Sequence, residues 1–288
     1  MTEPWWAETL ACPECGKPLS LAAPRCTCGF VATAGTPLDL RPKKALRRTL
    51  DLPADTIARD DLAACNLDRP RVTYDGPPAI RDSSELFSAV VSHLHPQATL
   101  LDLGCGPRDQ APVAEHYDLR YAGIDYSSSA ADLLADAHAL PFSDSSFDLV
   151  FSYAVFEHLH NPYLAAAEVA RVLVPGGIFF GTISQGEPFH DSYFHHTPFG
   201  VLALLRSAGF VTRRLWPSYD TLHALATMGR YPRLTRMLIE ALHRFAAATP
   251  FLAPRAYFRS SAREKQLDAL YRAASVCFVA ERISGSAP

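Results

Sequence analysis

The stretch Leu100-Leu101-Asp102-Leu103-Gly104-Cys105-Gly106 decides the fold. It reads as an apolar strand running into a glycine turn. Glycines there let the backbone come close to a ligand, and the start of a following helix offers N–H groups. Pro107 and Arg108 follow, so the third glycine of a dinucleotide loop is absent, which argues against a pyrophosphate cradle. Asp125 closes the next apolar run, Ala122-Gly123-Ile124-Asp125, and a carboxylate at that place can take the ribose hydroxyls of a nucleoside. Asp136 closes the run after it.

Outward from this stretch, short apolar runs alternate with helical patterns. Strands are expected over Thr99–Leu103, Tyr121–Asp125, Asp132–Ala135, Asp148–Tyr153, Gly177–Ile183, Phe210–Trp216 and Ser275–Glu281. Helices are expected over Gln110–Tyr117, Pro162–Val174 and Pro198–Ala208, and another opens at Ser83-Ser84-Glu85. Such alternation predicts an α/β fold with a parallel sheet covered on both faces. Only Tyr126 to Ala131 separate two strands expected to be parallel, so either a helix is missing there or that strand is misplaced.

Four of the seven cysteines, Cys12, Cys15, Cys26 and Cys28, crowd the first 28 residues. Cys12-Pro-Glu-Cys15-Gly and Cys26-Thr-Cys28-Gly are two pairs, each closed by a glycine, and four thiolates suit a closed structural zinc site. The second pair is one residue tighter than usual, and a redox pair or buried free thiols remain alternatives. The segments LACPECGKPL, CTCGF and GTPLDLRP resemble the zinc ribbon of small methyltransferase activator subunits and the N-terminal ribbon of certain rRNA guanine methyltransferases.

In order, DLGCG, GID, DAHALPF, SFDLVFS, FEHL, EVARVLVPGG and IFFGTIS resemble a class I S-adenosylmethionine-dependent methyltransferase of the type 11 kind. The resemblance implies a Rossmann-like seven-stranded sheet ending in an antiparallel hairpin, with residues 217–272 as a helical insertion before the last strand. It implies S-adenosylmethionine as cofactor. Gly104 and Gly106 would back its methionine part, and Asp125, with Tyr126 beside it, would bind the ribose. Asp136 and Ala137 would flank the adenine, and Tyr153 would face the reacting methyl. Asp102 is counted with these residues, although its carboxylate also suits a role in organising the loop. The organisation expected is 1–40 zinc ribbon, 41–82 linker with room for one short helix, and 83–288 methyltransferase domain.

Candidate catalytic groups lie in two places. Tyr153 and His158 follow the fourth strand, where His158 has an equal case as a structural residue opening the next helix. Glu187-Pro-Phe-His190-Asp-Ser-Tyr-Phe-His195-His196 follows the fifth, and His190 and His195 are its better candidates for a general base. The bland alternative for this segment is a loop in which His196-Thr197-Pro198 caps the next helix.

Composition bounds the partners. The 288 residues carry 27 basic and 30 acidic side chains, a net charge of −3, with 48% hydrophobic residues. That excludes a supercharged nucleic-acid tail or a disordered chain. No stretch reaches the roughly 18 apolar residues of a membrane span. Met1–Leu10 has no apolar core of a signal peptide, so a cytoplasmic location is expected. The expected function is methyl transfer to a small-molecule acceptor. The alternatives are RNA methylation, read by the ribbon and the basic insertion, and another alkyl transfer or cyclisation from the same sulfonium. A homodimer is left open.

Overall fold

The computed structural model describes residues 3–50, 57, 59–71, 76, 83–91, 94–187, 191–227, 230–248 and 261–283. Eight strands form one sheet: β1 (Leu38–Asp39), β2 (Thr99–Leu103), β3 (Arg120–Asp125), β4 (Leu133–Leu134), β5 (Phe147–Tyr153), β6 (Leu173–Ser184), β7 (Phe210–Pro217) and β8 (Ser275–Arg282). Their order is β1-β4-β3-β2-β5-β6-β8-β7. The six strands from β1 to β6 run parallel, and β8 lies antiparallel between β6 and β7. β3 and β4 lie to one side of β2, and β5 lies to the other. The chain therefore reverses direction about β2, the kind of place where open α/β sheets bind ligands.

Alternation along the central strands builds two cores, because successive side chains of a strand face opposite sides. Leu101, Val150, Phe179 and Phe278 enter one core, with helices α4 (Pro162–Val172) and α5 (Pro198–Ser207) over it. Leu100, Phe151, Phe180 and Cys277 enter the other, under α2 (Ser83–Val91) and α3 (Ala111–His116). There the rings of Phe87, Phe151 and Phe180 meet at centroid distances of 5.1 to 5.3 Å. Helix starts follow local chemistry. Asn161 caps α4 by accepting from Leu164 N–H at 3.1 Å with Pro162 next in line, and Thr197 caps α5 from Gly200 at 3.2 Å.

The seven expected strands are β2 to β8, ending in the antiparallel β7–β8 pair, and the structure departs from the sequence expectation in two places. An eighth strand, β1 from the cysteine-bearing lobe, extends the sheet by pairing in parallel with β4, Leu38 against Leu133. Two residues carry too little pattern to announce a strand. The connection between β3 and β4 holds no helix. The Asp125 carboxylate holds it instead, accepting from the N–H groups of Ser127 and Ser128 at 2.8 Å each, while Asp132 N–H returns to Gly123 O at 2.8 Å.

The N-terminal lobe packs into the same core through Trp6, Leu10, Leu19, Phe30 and Leu40. Trp5 Nε1 donates to Tyr121 O at 3.2 Å, and Ala11 N–H to Pro141 O at 3.0 Å. Within the expected linker, a short helix α1 spans Arg59–Ala64. Between β7 and β8 stand α6 (Thr221–Thr227), α7 (Arg233–Ala248) and a last helix, Ala262–Tyr271, closed by a capping box of Ser261 and Glu264. No helix among the described residues is long and apolar enough to cross a membrane.

Candidate cofactor and acceptor site

A cavity of about 590 Å³ opens at the carboxyl ends of β2, β3, β4 and β5, within the usual range for a small-ligand site. Its walls bring together Gly104, Asp125, Tyr126, Asp136, Ala137, Tyr153 and His158 from the residues singled out in the sequence. Asp102, Gly106 and His195 are not in its lining, and His190 lies outside the described residues.

The glycine turn is sterically determined. Gly104 sits at φ +79°, and a Cβ there would stand 2.3 Å from a Val155 methyl. Gly106 N–H donates to Asp125 Oδ2 at 3.1 Å, so the same carboxylate that holds the β3–β4 turn also holds the glycine loop. A carboxylate offers about four acceptor positions, and the main chain takes three of these. Behind the loop, Asp102 is buried and accepts the Tyr121 hydroxyl at 2.6 Å. Burial raises Asp102 to about 7, with the Tyr121 bond working the other way. Asp102 thus braces the loop from inside rather than facing the cavity.

The far end of the cavity is a histidine relay that the sequence reading missed. Asn161 N–H donates to His138 Nε2 at 3.3 Å, so the ring proton resides on Nδ1, which donates to Asp136 Oδ1 at 2.6 Å. His138 N–H reaches the same oxygen at 2.9 Å. Burial works to raise the Asp136 carboxyl, but these bonds and the nearby histidines outweigh it and hold the group below its ordinary value. Both bonds fall on Oδ1, so Oδ2 keeps its capacity to accept. The ring of His160 lies against His138 at 4.0 Å, and Tyr193 stands edge-on to His160 at 6.5 Å. His138 follows Asp136 by two residues within the stretch DAHALPF, and that spacing is the signal in the sequence that points to it.

On the β5 side of the cavity, Tyr153 terminates the strand, and His158 sits in the short turn Phe156–His158. His158 Nδ1 lies 2.6 Å from the Asp191 carbonyl. A carbonyl only accepts, so Nδ1 is the donor and Nε2 of the neutral ring is a base. His195 is exposed, because the chain turns inward at the next residue and buries His196 instead. Beside His158, Glu157 is fully buried, and among the described residues neither of its oxygens has a hydrogen bond of good geometry. Burial first, then the charge of Glu187, raise Glu157 to about 8.

The four cysteines form a second site. All four Sγ atoms lie within 4.8 Å of one another, with Cys12–Cys28 at 3.6 Å and Cys15–Cys26 at 3.4 Å. Tetrahedral zinc with bonds of about 2.3 Å places its sulfurs roughly 3.7 Å apart, close to the two spacings between the pairs. The backbone N–H of Cys28, followed by the neighbouring thiols, brings Cys26 down to about 6 despite its desolvation.

Residues 101–181 match the family model of the methyltransferase domain. The chain is 33% identical over 175 residues to the malonyl-[acyl-carrier protein] O-methyltransferase of Methylococcus capsulatus, covering 50% of this chain and 64% of that protein. It is 37% identical over 93 residues to an uncharacterised methyltransferase of Mycobacterium avium, covering 28% of this chain and 37% of that one. Across such curated relatives it spans between 31% and 64% of their length. Among solved structures, a chain in the complex of the Haloferax volcanii Trm112 methyltransferase activator with a methyltransferase is similar at 19% identity. Its TM-score is 0.47, over 70% of this chain and 90% of that chain. The family-model match makes residues 101–181 a methyltransferase domain, set within a Rossmann-like sheet and preceded by a cysteine cluster able to chelate a metal.

Proposed function

We propose that the protein transfers a methyl group from S-adenosylmethionine to a small-molecule acceptor. The observation that carries this reading is the single cavity that gathers Gly104, Asp125, Asp136, Tyr153 and His158. Their chemistry suits the two ends of a nucleoside sulfonium. Asp125 keeps about one acceptor position for a ribose hydroxyl, and Asp136 Oδ2 suits an adenine amino group. The bound cofactor supplies an electrophilic methyl for in-line displacement.

This chain's own residues then have three tasks. The Gly104 turn lets the backbone approach the ligand. Tyr153 and His158 line the space where an acceptor would sit, and alignment there supplies much of the rate. Nε2 of His158, left basic by the Nδ1 bond to Asp191, takes a proton from an acceptor hydroxyl or amine. Relatives named as a malonyl-[acyl-carrier protein] O-methyltransferase and a 2-methyl-6-phytyl-1,4-hydroquinone methyltransferase support a small or carrier-borne acceptor. We further assign zinc to Cys12, Cys15, Cys26 and Cys28 as a structural ion, and a cytoplasmic location. None of the seven cysteines is joined in a disulfide, which suits a reducing compartment.

The test is calorimetry with S-adenosylhomocysteine. Wild type should bind, and Asp125→Ala should bind roughly a hundredfold more weakly, through lost ligand and loop hydrogen bonds. Absence of wild-type binding overturns the reading. Metal analysis of the purified chain should return one zinc per chain. Substantially less removes the zinc assignment and leaves the cofactor reading in place.

A further inference from the structure

Helix α7 is turned inside out. Its polar side packs against α6, where Arg236 Nε donates to Ala226 O at 2.7 Å and His223 and His243 lie 3.6 Å from Glu240 and Asp220. Its apolar side faces outward, with Leu234 70%, Met237 60%, Leu238 58% and Leu242 65% exposed. At 100° per residue, Leu234, Leu238 and Leu242 fall on one continuous stripe, with Met237 on its margin. Exposing one leucine is ordinary, but four large apolar residues along one helix mark a surface that something covers.

Charge identifies the occupant. Beside the stripe, between α6 and α7, a groove of about 800 Å³ is lined by Arg233, Arg236 and Arg244, with His223 and a single acid, Glu240. From residue 228 to 260 the sequence holds six arginines and that one acid, in a chain whose net charge is −3. A second copy of the chain, docked face to face, would set arginine against arginine. An RNA would pair with the arginines but leave the leucines in water. A bilayer of anionic lipids satisfies both features, since acyl chains take up the stripe and headgroup phosphates meet the guanidinium groups.

We propose that α7 lies in the interface of an anionic membrane and docks the protein there peripherally. The insertion leaves the sheet where β7 ends and β8 begins, as the pairs Pro217–Val276 and Ser184–Ser275 show. That is the edge at which Tyr153, paired with Thr182, closes the cavity. Docking therefore brings the acceptor end of the cavity to the side of the molecule that meets lipid. The inference stands apart from the methyl-transfer reading, because vesicle binding requires no reaction.

The test is co-sedimentation of the full chain with vesicles of equal parts phosphatidylglycerol and phosphatidylcholine, against phosphatidylcholine alone. Wild type should pellet with the anionic vesicles only and be released by salt. Leu238→Glu with Leu242→Glu should weaken this binding by roughly tenfold or more. Arg233→Glu with Arg244→Glu should do the same and flatten the salt dependence. Leu238, Leu242 and Arg233 are exposed, and Arg244 gives up only its surface ion pair with Glu240 at 2.8 Å, so S-adenosylhomocysteine affinity should remain that of wild type and melting curves should shift by no more than that pair is worth. The proposal is overturned if wild type ignores anionic vesicles, or if both pairs of substitutions leave binding intact. It is also overturned if light scattering shows a dimer that Leu238→Glu with Leu242→Glu dissolves, or if the arginines retain RNA while the leucine changes leave vesicle binding unaltered.

Discussion

The two ends of the cavity are built differently. The end proposed for the nucleoside is rigid: Asp125 accepts three main-chain N–H groups, Asp136 is fixed by His138, and Asp102 braces the loop from behind. The acceptor end is framed by a short turn and by the segment from Asp191 to His195, whose side chains are mostly exposed and whose Tyr193 N–H hangs on the Glu157 carbonyl at 2.8 Å. One end is set by backbone chemistry that any ligand of that class demands. The other is set by side chains on a loop, which tolerate change. A shared cofactor and a private acceptor are what this division would serve.

The sharpest way to break the contrast is at Gly104. Gly104→Ala pushes a Cβ into Val155 at 2.3 Å and forces a residue with a side chain to φ +79°. It should lower stability by about 3 kcal/mol, seen as a reduced denaturation midpoint. Val155→Ala in the same chain should recover the steric part but not the backbone part.

Next is Glu157, at the acceptor end. Its folded value near 8 lies above its ordinary 4.5. The folded state therefore binds the extra proton, and stability falls as pH rises from about 4.5 to about 8, then levels off. Glu157→Gln should flatten that slope and raise stability at pH 8 by on the order of 2 kcal/mol, measured by urea melts across pH. An unchanged slope would show that another group carries it.

Two smaller effects separate the ends. Asp136→Ala should weaken S-adenosylhomocysteine binding by roughly tenfold, one hydrogen bond to a charged acceptor. His158→Asn should change that affinity by less than about twofold while lowering kcat, since a base acts on the acceptor and not on the nucleoside. A large affinity loss from His158→Asn would erase the division between the two ends.

The same division explains what the sequence made legible. Strand limits at β2, β5 and β8 were readable because apolar runs there are long and end in glycine, tyrosine or charge. Asp125 and Asp136 were legible as acids that close apolar runs, although the structural work of Asp125, which holds the β3–β4 turn and the glycine loop through three main-chain N–H groups, was not. β1 was not, since its two residues acquire strand geometry only by pairing with β4. His138 was not, because its role depends on Asn161, 23 residues away, which no local pattern links to it. The inversion of α7 was also hidden. Periodicity shows that a helix has an apolar side but not which side the neighbouring helix will take.

The placing of β1 has a consequence for solubility. An unpaired parallel edge is a template for other chains. β1 covers that edge at β4, and its own outer side is closed by Thr33, which exchanges N–H···O bonds with Asp39 at 3.1 and 3.2 Å. The chain then runs into Arg41-Pro42-Lys43-Lys44, residues that discourage any further strand from joining. The cysteine lobe therefore acts as the hem of the sheet. With zinc closing the lobe as proposed, a cell depleted of zinc should lose this protein to aggregation before the cavity at the sheet edge is disturbed.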